Sequence, residues 1–319
     1  MAQFTHFETV GSADFWDRPL SGQVEEFVNS LLDVANQSSP SWISVPQLPL
    51  VDDSRRNKIN KALAVATGKW RAASGFTGKL ILPLIVTHQR QTNLKTSRNP
   101  KVSAAIDCYS RAAADGIWVV DKSLDDESGS PTLRDNRFPG LIALHQELNQ
   151  GISPVIRCAG PYWGLSLLLQ ARQLIDYPAI GVGSGYQYFL AGGHATTPSA
   201  KVAIVPLRRR VAYGSELRAW LDQSIPLTAA GSSERDALQS LRHNFATFSS
   251  QTRARRQIAS FYKDWCNAIE AMPQPQGRYL FLDLANAYAF GKSLPEILGE
   301  EGGARRPEAI ANSLMTSCL

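Results

Sequence analysis

The feature that most constrains the fold is a succession of short apolar runs, each bounded by Gly, Pro or polar residues. The runs are Trp42–Val45, Leu80–Val86, Ile117–Asp121, Val155–Ala159, Ala179–Val182 and Val202–Val205, with Phe4–Val10 as a further candidate. Runs this short and continuously apolar fit parallel strands, which are buried on both faces. Helical patterns separate most of them. Asp53–Trp70 carries Ile59, Leu63 and Ala66 on one face, with Asp52, Asp53 or Ser54 as its cap. Asn99-Pro100 opens a helix to Ala114, an N-cap followed by Pro at the first helical position. Phe138–Asn149 and Gly164–Ile175 continue the series.

Alternating strand and helix predicts right-handed βαβ units and a parallel sheet, hence an α/β fold. Two architectures satisfy it: a TIM-barrel-like core, complete, incomplete or distorted, and an open doubly wound sheet. Polar groups recur at the carboxyl ends of successive runs, from Thr87-His88-Gln89-Arg90 to Asp121-Lys122 and Arg208-Arg209-Arg210. That punctuation favours the barrel, whose ligand loops gather at this end of the strands.

The pattern changes at Glu216. Residues 1–215 are therefore expected to form the barrel-like core, and residues 216–319 a mostly helical extension. Within the extension, Glu234–Met272 reads as one long amphipathic helix, and Tyr279–Leu284 reads as a last strand. No apolar run approaches the roughly 18–20 residues needed to span a bilayer, so no membrane association is expected. The segment MAQFTHFETV lacks the basic and apolar regions of a signal peptide. The four scattered cysteines show no metal-ligand or disulfide pattern and suit a reduced, cytoplasmic protein.

Asp121 is the leading candidate for acid, base or nucleophilic chemistry, because it ends a predicted parallel strand. His88 and Arg90 follow the second strand and could shuttle a proton or contact phosphate. Arg157 lies within the fourth strand, where its charge needs a carboxylate or a cavity; pairing with Asp121 is one expectation. Gly183, Ser184 and Gly185 follow a strand, as an anion cradle would, although the segment is neither a dinucleotide fingerprint nor a P-loop. Tyr162, Trp163 and Tyr186 would offer stacking surfaces for a base or sugar, and His194 and Arg208 further ligand contacts.

The histidines lack metal-binding spacing, so neither a metal nor a cofactor is expected. Lys122 is a candidate imine-forming lysine, on the opposite face of the strand from Asp121. A pI near 9.0, a net charge of +5 and clusters such as Arg253–Arg256 suit an anionic small molecule or a nucleic acid. The expectation is an enzyme of hydrolase or glycosyl-transferase type acting on a nucleotide, nucleic acid or other anionic ligand. The alternatives are a non-catalytic subunit binding nucleic acid, or binding protein through its C-terminal helices, and a lysine-dependent aldolase or lyase.

Overall fold

The computed structural model describes residues 21–49, 54–86, 100–121, 131–152, 154–162, 164–179, 200–298 and 304–305. Phe4–Val10 and the proposed caps at 52, 53 and 99 lie outside these residues. The chain divides into two compact units. The first comprises Met1–Ser123, Asn136–Ala159 and Leu174–Tyr177, and the second Leu124–Asp135, Gly160–Gln173 and Pro178–Leu319.

The first unit begins with α1 (Ser21–Asn36), β1 (Trp42–Ser44), α2 (Ser54–Ser74), β2 (Lys79–Val86), α3 (Pro100–Arg111) and β3 (Gly116–Asp121). It continues through most of α4 (Pro131–Ile152) to β4 (Ile156–Ala159) and the start of β5 (Tyr177–Pro178). The protein is thus α/β, built on a five-stranded parallel sheet in the order β1-β2-β3-β4-β5. Each strand adds beside its predecessor, so right-handed crossovers put successive helices on one face. A doubly wound sheet reverses its strand order partway. No reversal occurs among the described strands.

Register and burial identify the two faces. Leu80 and Leu82 join Val28, Leu63, Trp70 and Cys108 of the helices in one core cluster, defining the helix side. Ile81, Ile156 and Cys158 form a separate cluster with Trp118 on the other side. Gly116 lies between Ile81 and Ile156 in register. A Cβ there would stand 2.6 Å from Ile156, so the glycine makes room for the larger neighbours on this second face.

Trp42 shares that second face, being one residue from Ile43, whose partner is Leu80. Its ring meets that of Tyr177 at the far edge of the sheet, edge to face, with centroids 5.1 Å apart. In a flat sheet β1 and β5 would stand roughly 19 Å apart, farther than two aromatic side chains span. The sheet therefore curls, with Trp42 on its concave side.

The second unit contains α5 (Gly164–Ala171), all eight residues of which are buried. It also holds the antiparallel hairpin of β6 (Lys201–Ile204) and β7 (Arg209–Ala212). Then follow α6 (Ser215–Leu227), α7 (Ser233–His243), α8 (Gln251–Glu270), α9 (Gln276–Lys292), β8 (Ile297–Leu298) and β9 (Ala304–Arg305). Val202, Ile204 and Val211 pack with Trp220, Leu238 and Phe248 in its core. The Gln257 amide donates to the Ala203 carbonyl (2.9 Å) and accepts from its N–H (2.8 Å), covering a strand edge that would otherwise be open.

Several expectations change. Val202–Val205 does not extend the parallel sheet, because a short turn with Pro206 and a left-handed Arg208 (φ 52°) folds the chain straight back. A parallel crossover needs a dozen or more residues. The hairpin groups with the C-terminal helices in the second unit. Tyr279–Leu284 is helical within α9, burying Leu280, Leu284, Ala287 and Gly291 at helical spacing. The expected 234–272 helix is broken by a 3₁₀ turn at Phe245–Ser249. The fifth strand of the sheet is Tyr177–Pro178; of the expected run at 179–182, positions 180–182 lie outside the described residues.

Candidate functional site

Ligands of parallel sheets gather at the carboxyl ends of the strands, so the end of β3 is the first place to look. Asp121 is its last residue, opposite Val86 in register and only 2 % exposed. Among the described residues it is the one charged side chain buried in the parallel sheet. Burying a carboxylate is unfavourable unless neighbouring groups compensate it, which makes such a position informative. Asp121 alternates with Ile117 and Val119, the partners of Leu82 and Leu84. Its side chain therefore belongs to the helix side of the sheet, not the concave side.

Arg157 does not pair with Asp121. It stands opposite Ile117, four residues earlier along β3, or about 13 Å at strand spacing. Its guanidinium forms a two-pronged ion pair with Asp176, Nε to Oδ2 at 3.0 Å and Nη2 to Oδ1 at 2.5 Å. The Arg157 N–H also donates to Oδ2 (3.1 Å), and the Asp176 N–H donates to the Arg157 carbonyl (2.8 Å). This clamp fastens the approach to β5 onto β4.

Arg208 is likewise engaged within the fold. Nε and Nη2 meet the two Asp283 oxygens at 2.8 and 2.7 Å, while Nη1 donates to the Val205 carbonyl. The guanidinium also lies over the rings of Phe261 and Trp265, and Trp265 Nε1 donates to Asp283 Oδ2 at 2.9 Å. Its neighbours Arg209 and Arg210 are buried in β7.

Tyr162 is only 3 % exposed, and its N–H donates to Ser166 Oγ at the start of α5 (3.2 Å). Gly160, two residues earlier, has φ 112°, and a Cβ there would stand 2.6 Å from the same oxygen. Only glycine combines that backbone with that closeness. His88, Arg90, Trp163, Gly183, Ser184, Gly185, Tyr186 and His194 lie outside the described residues, as does Lys122.

Three further polar positions stand out in the first unit. Asn60 is 2 % exposed; its side chain accepts from the Leu48 N–H (2.7 Å) and donates to the Leu48 carbonyl (3.0 Å), pinning the segment after β1. Beside it a small cleft on the helix side is lined by Gln47, Asn57, Leu82, Leu84 and Cys108. Asp115 binds Arg71 (2.8 and 3.3 Å) and the Leu80 N–H (2.9 Å) at the opposite end of the strands. Burial pushes its carboxyl up, but Arg71, the Leu80 N–H and Lys79 outweigh that and hold it below the ordinary range.

Third, His145 of α4 is buried, with Nε2 unpartnered. Burial, reinforced by the Arg157 charge, pushes its imidazole down to about 3. Burial raises the thiols of Cys108 to about 11 and of Cys158 and Cys266 to about 12, so all three are protonated at neutral pH. Among the described residues no group of three or more His, Cys, Asp or Glu could hold a metal ion. No described helix is long and apolar enough to cross a membrane. No protein-family model, curated protein or solved structure matches the chain.

Proposed function

We propose that the chain is an enzyme on a barrel-like (β/α) fold. It binds an anionic ligand of nucleotide or nucleic-acid class at the carboxyl edge of its parallel sheet. It acts on that ligand by glycosyl transfer or hydrolysis, with Asp121 as the essential carboxylate. The observation that carries this reading is the burial of Asp121 at the end of β3, the edge of a parallel sheet where ligands gather. The sequential strand order and the Trp42–Tyr177 contact support barrel-like closure. In an eight-stranded barrel the first and fifth strands face each other across an interior that side chains just fill.

The test is a turnover screen with nucleosides, nucleotides and oligonucleotides, reading release of the free base, on the wild-type chain and Asp121→Asn. Loss of turnover of about 10²-fold or more, with the circular dichroism spectrum retained, is the expected result. No turnover by the wild type, or full turnover by the variant, returns the chain to the class of non-catalytic binding scaffolds.

A second reading draws on the side to which Asp121 points. With Asp121 on the helix side of β3, a catalyst other than Asp121 is the alternative. The reading is then a lysine-dependent aldolase or lyase with Lys122 as the imine-forming lysine. Borohydride reduction in the presence of aldehyde or keto-acid probes, followed by peptide mapping, decides it. A reduced adduct on Lys122 supports the lyase, and its absence across the probe panel removes it.

A further inference from the structure

Helix α8 buries its apolar residues, Ala254, Ile258, Phe261, Tyr262, Trp265 and Ile269, within the second unit. Its opposite face is exposed and carries Thr252, Arg253, Arg256, Ser260, Lys263, Asn267 and, at the carboxyl end, Glu270, which recur at helical spacing. All of these side chains but Glu270 can donate a hydrogen bond, and three are cationic. Arg253, Arg256 and Lys263 have no ion-pair partner among the described residues. Arg255, beside them, reaches only the Gln251 side-chain oxygen, at 3.4 Å. The helix has no acidic residue in its first turn and no side-chain cap at Ser250. The arginines therefore crowd the positive end of the helix dipole, where cations are unfavourable.

We infer that this face of α8 binds the phosphate backbone of a nucleic acid. From Arg253 to Lys263 the cations span roughly 15 Å of helix, the reach of several successive phosphates. Two other polyanion partners fit less well. A membrane-surface helix needs a free apolar face to insert, and the apolar face of α8 is buried. A protein interface needs an apolar centre, and this stripe contains no aromatic or large aliphatic residue. Arg and Lys interleaved with Ser, Thr and Asn are instead the side chains that contact phosphate and sugar. The inference stands on α8 alone, so it and the Asp121 reading can fail independently.

The experiment measures fluorescence anisotropy of a labelled duplex, and of the same sequence single-stranded, across a salt series. It compares the full wild-type chain with the triple variant Arg253→Gln, Arg256→Gln, Lys263→Gln. The wild type is expected to bind with a steep negative slope of log K against log salt. The triple variant should lose at least about tenfold in affinity, and its duplex slope should be shallower by about 2.7, or roughly 0.9 per lost contact. Asp264→Asn, which removes the acid flanking the stripe, should bind more tightly than wild type, a gain that no misfolded protein would show.

Absence of wild-type binding, or equal affinity and slope in the triple variant, overturns the inference. Equal wild-type affinity for polyglutamate or for anionic vesicles also overturns it, since the face would then respond to charge alone.

Discussion

The two units treat charge in opposite ways. In the parallel-sheet unit, Arg71 with Asp115 at the amino ends of the strands and Arg157 with Asp176 beside β4 form small closed systems. In the helical unit Arg208 closes on Asp283 beside Trp265, and Arg242 pairs with Asp222 at the surface, yet a row of cations along α8 has no ion-pair partner among the described residues. A basic cluster in a sequence therefore says little until the fold has decided which cations find carboxylates. Arg208 and Arg253 belong to equally conspicuous runs, but only the second is available to a partner.

The sharpest test of the first unit's closed interior is acid. His145 is held neutral when folded, with its imidazole near 3, and takes up a proton near 6.5 when unfolded. The folded value is depressed, so the unfolded chain binds more protons as pH falls below 6.5, and stability falls with it. By pH 4 the loss should reach about 3 kcal/mol. Urea unfolding across this range should show the slope in wild type and lose it in His145→Leu. Equal slopes would mean that His145 is not sealed in.

Next in size is the Arg208 system. Asp283→Leu removes the carboxylate shared by Arg208 and Trp265. It should destabilise the chain by about 2 kcal/mol, below the value for a fully buried pair because both side chains remain partly exposed. Asp222→Leu, which breaks the exposed Arg242–Asp222 pair, should leave the urea midpoint unchanged. If both variants behave alike, the contrast between closed and surface pairs collapses.

The strands β2, β3 and β4 fall on continuous apolar runs that Gly or Pro sets off in the sequence. It also marked Asp121 as a strand end. It could not show which face Asp121 takes, because Ile117 to Val120 are all apolar and leave no alternation to read. Arg208 invited a ligand reading for a different reason: its partner Asp283 is 75 residues away, and only tertiary structure joins them. The β6–β7 reversal had a local sign in Val205-Pro206-Leu207-Arg208, a link too short for any crossover helix. Much of the candidate site, including His88, Arg90 and the 183–186 segment, lies outside the described residues.

The curl of the sheet rests on one aromatic contact, and a double-mutant cycle measures it. Trp42→Ala and Tyr177→Ala should couple by about 1 kcal/mol, the range of an edge-to-face pair. Urea unfolding of the four proteins gives the coupling, and a value of zero would separate the two edges of the sheet.

The smallest effect opposes stability to binding. Arg253 lies in the first turn of α8, where the helix dipole repels it and no acidic residue compensates. Arg253→Glu should therefore raise stability by about 0.5 kcal/mol while weakening nucleic-acid binding. Lys263 lies more than a turn from either end of the helix, beyond the reach of the dipole, so Lys263→Gln should weaken binding without any gain in stability. A merely solvated helix face would let Arg253→Glu stabilise the chain at no loss of affinity. Opposite signs in the two measurements are what a face kept cationic for a phosphate partner requires.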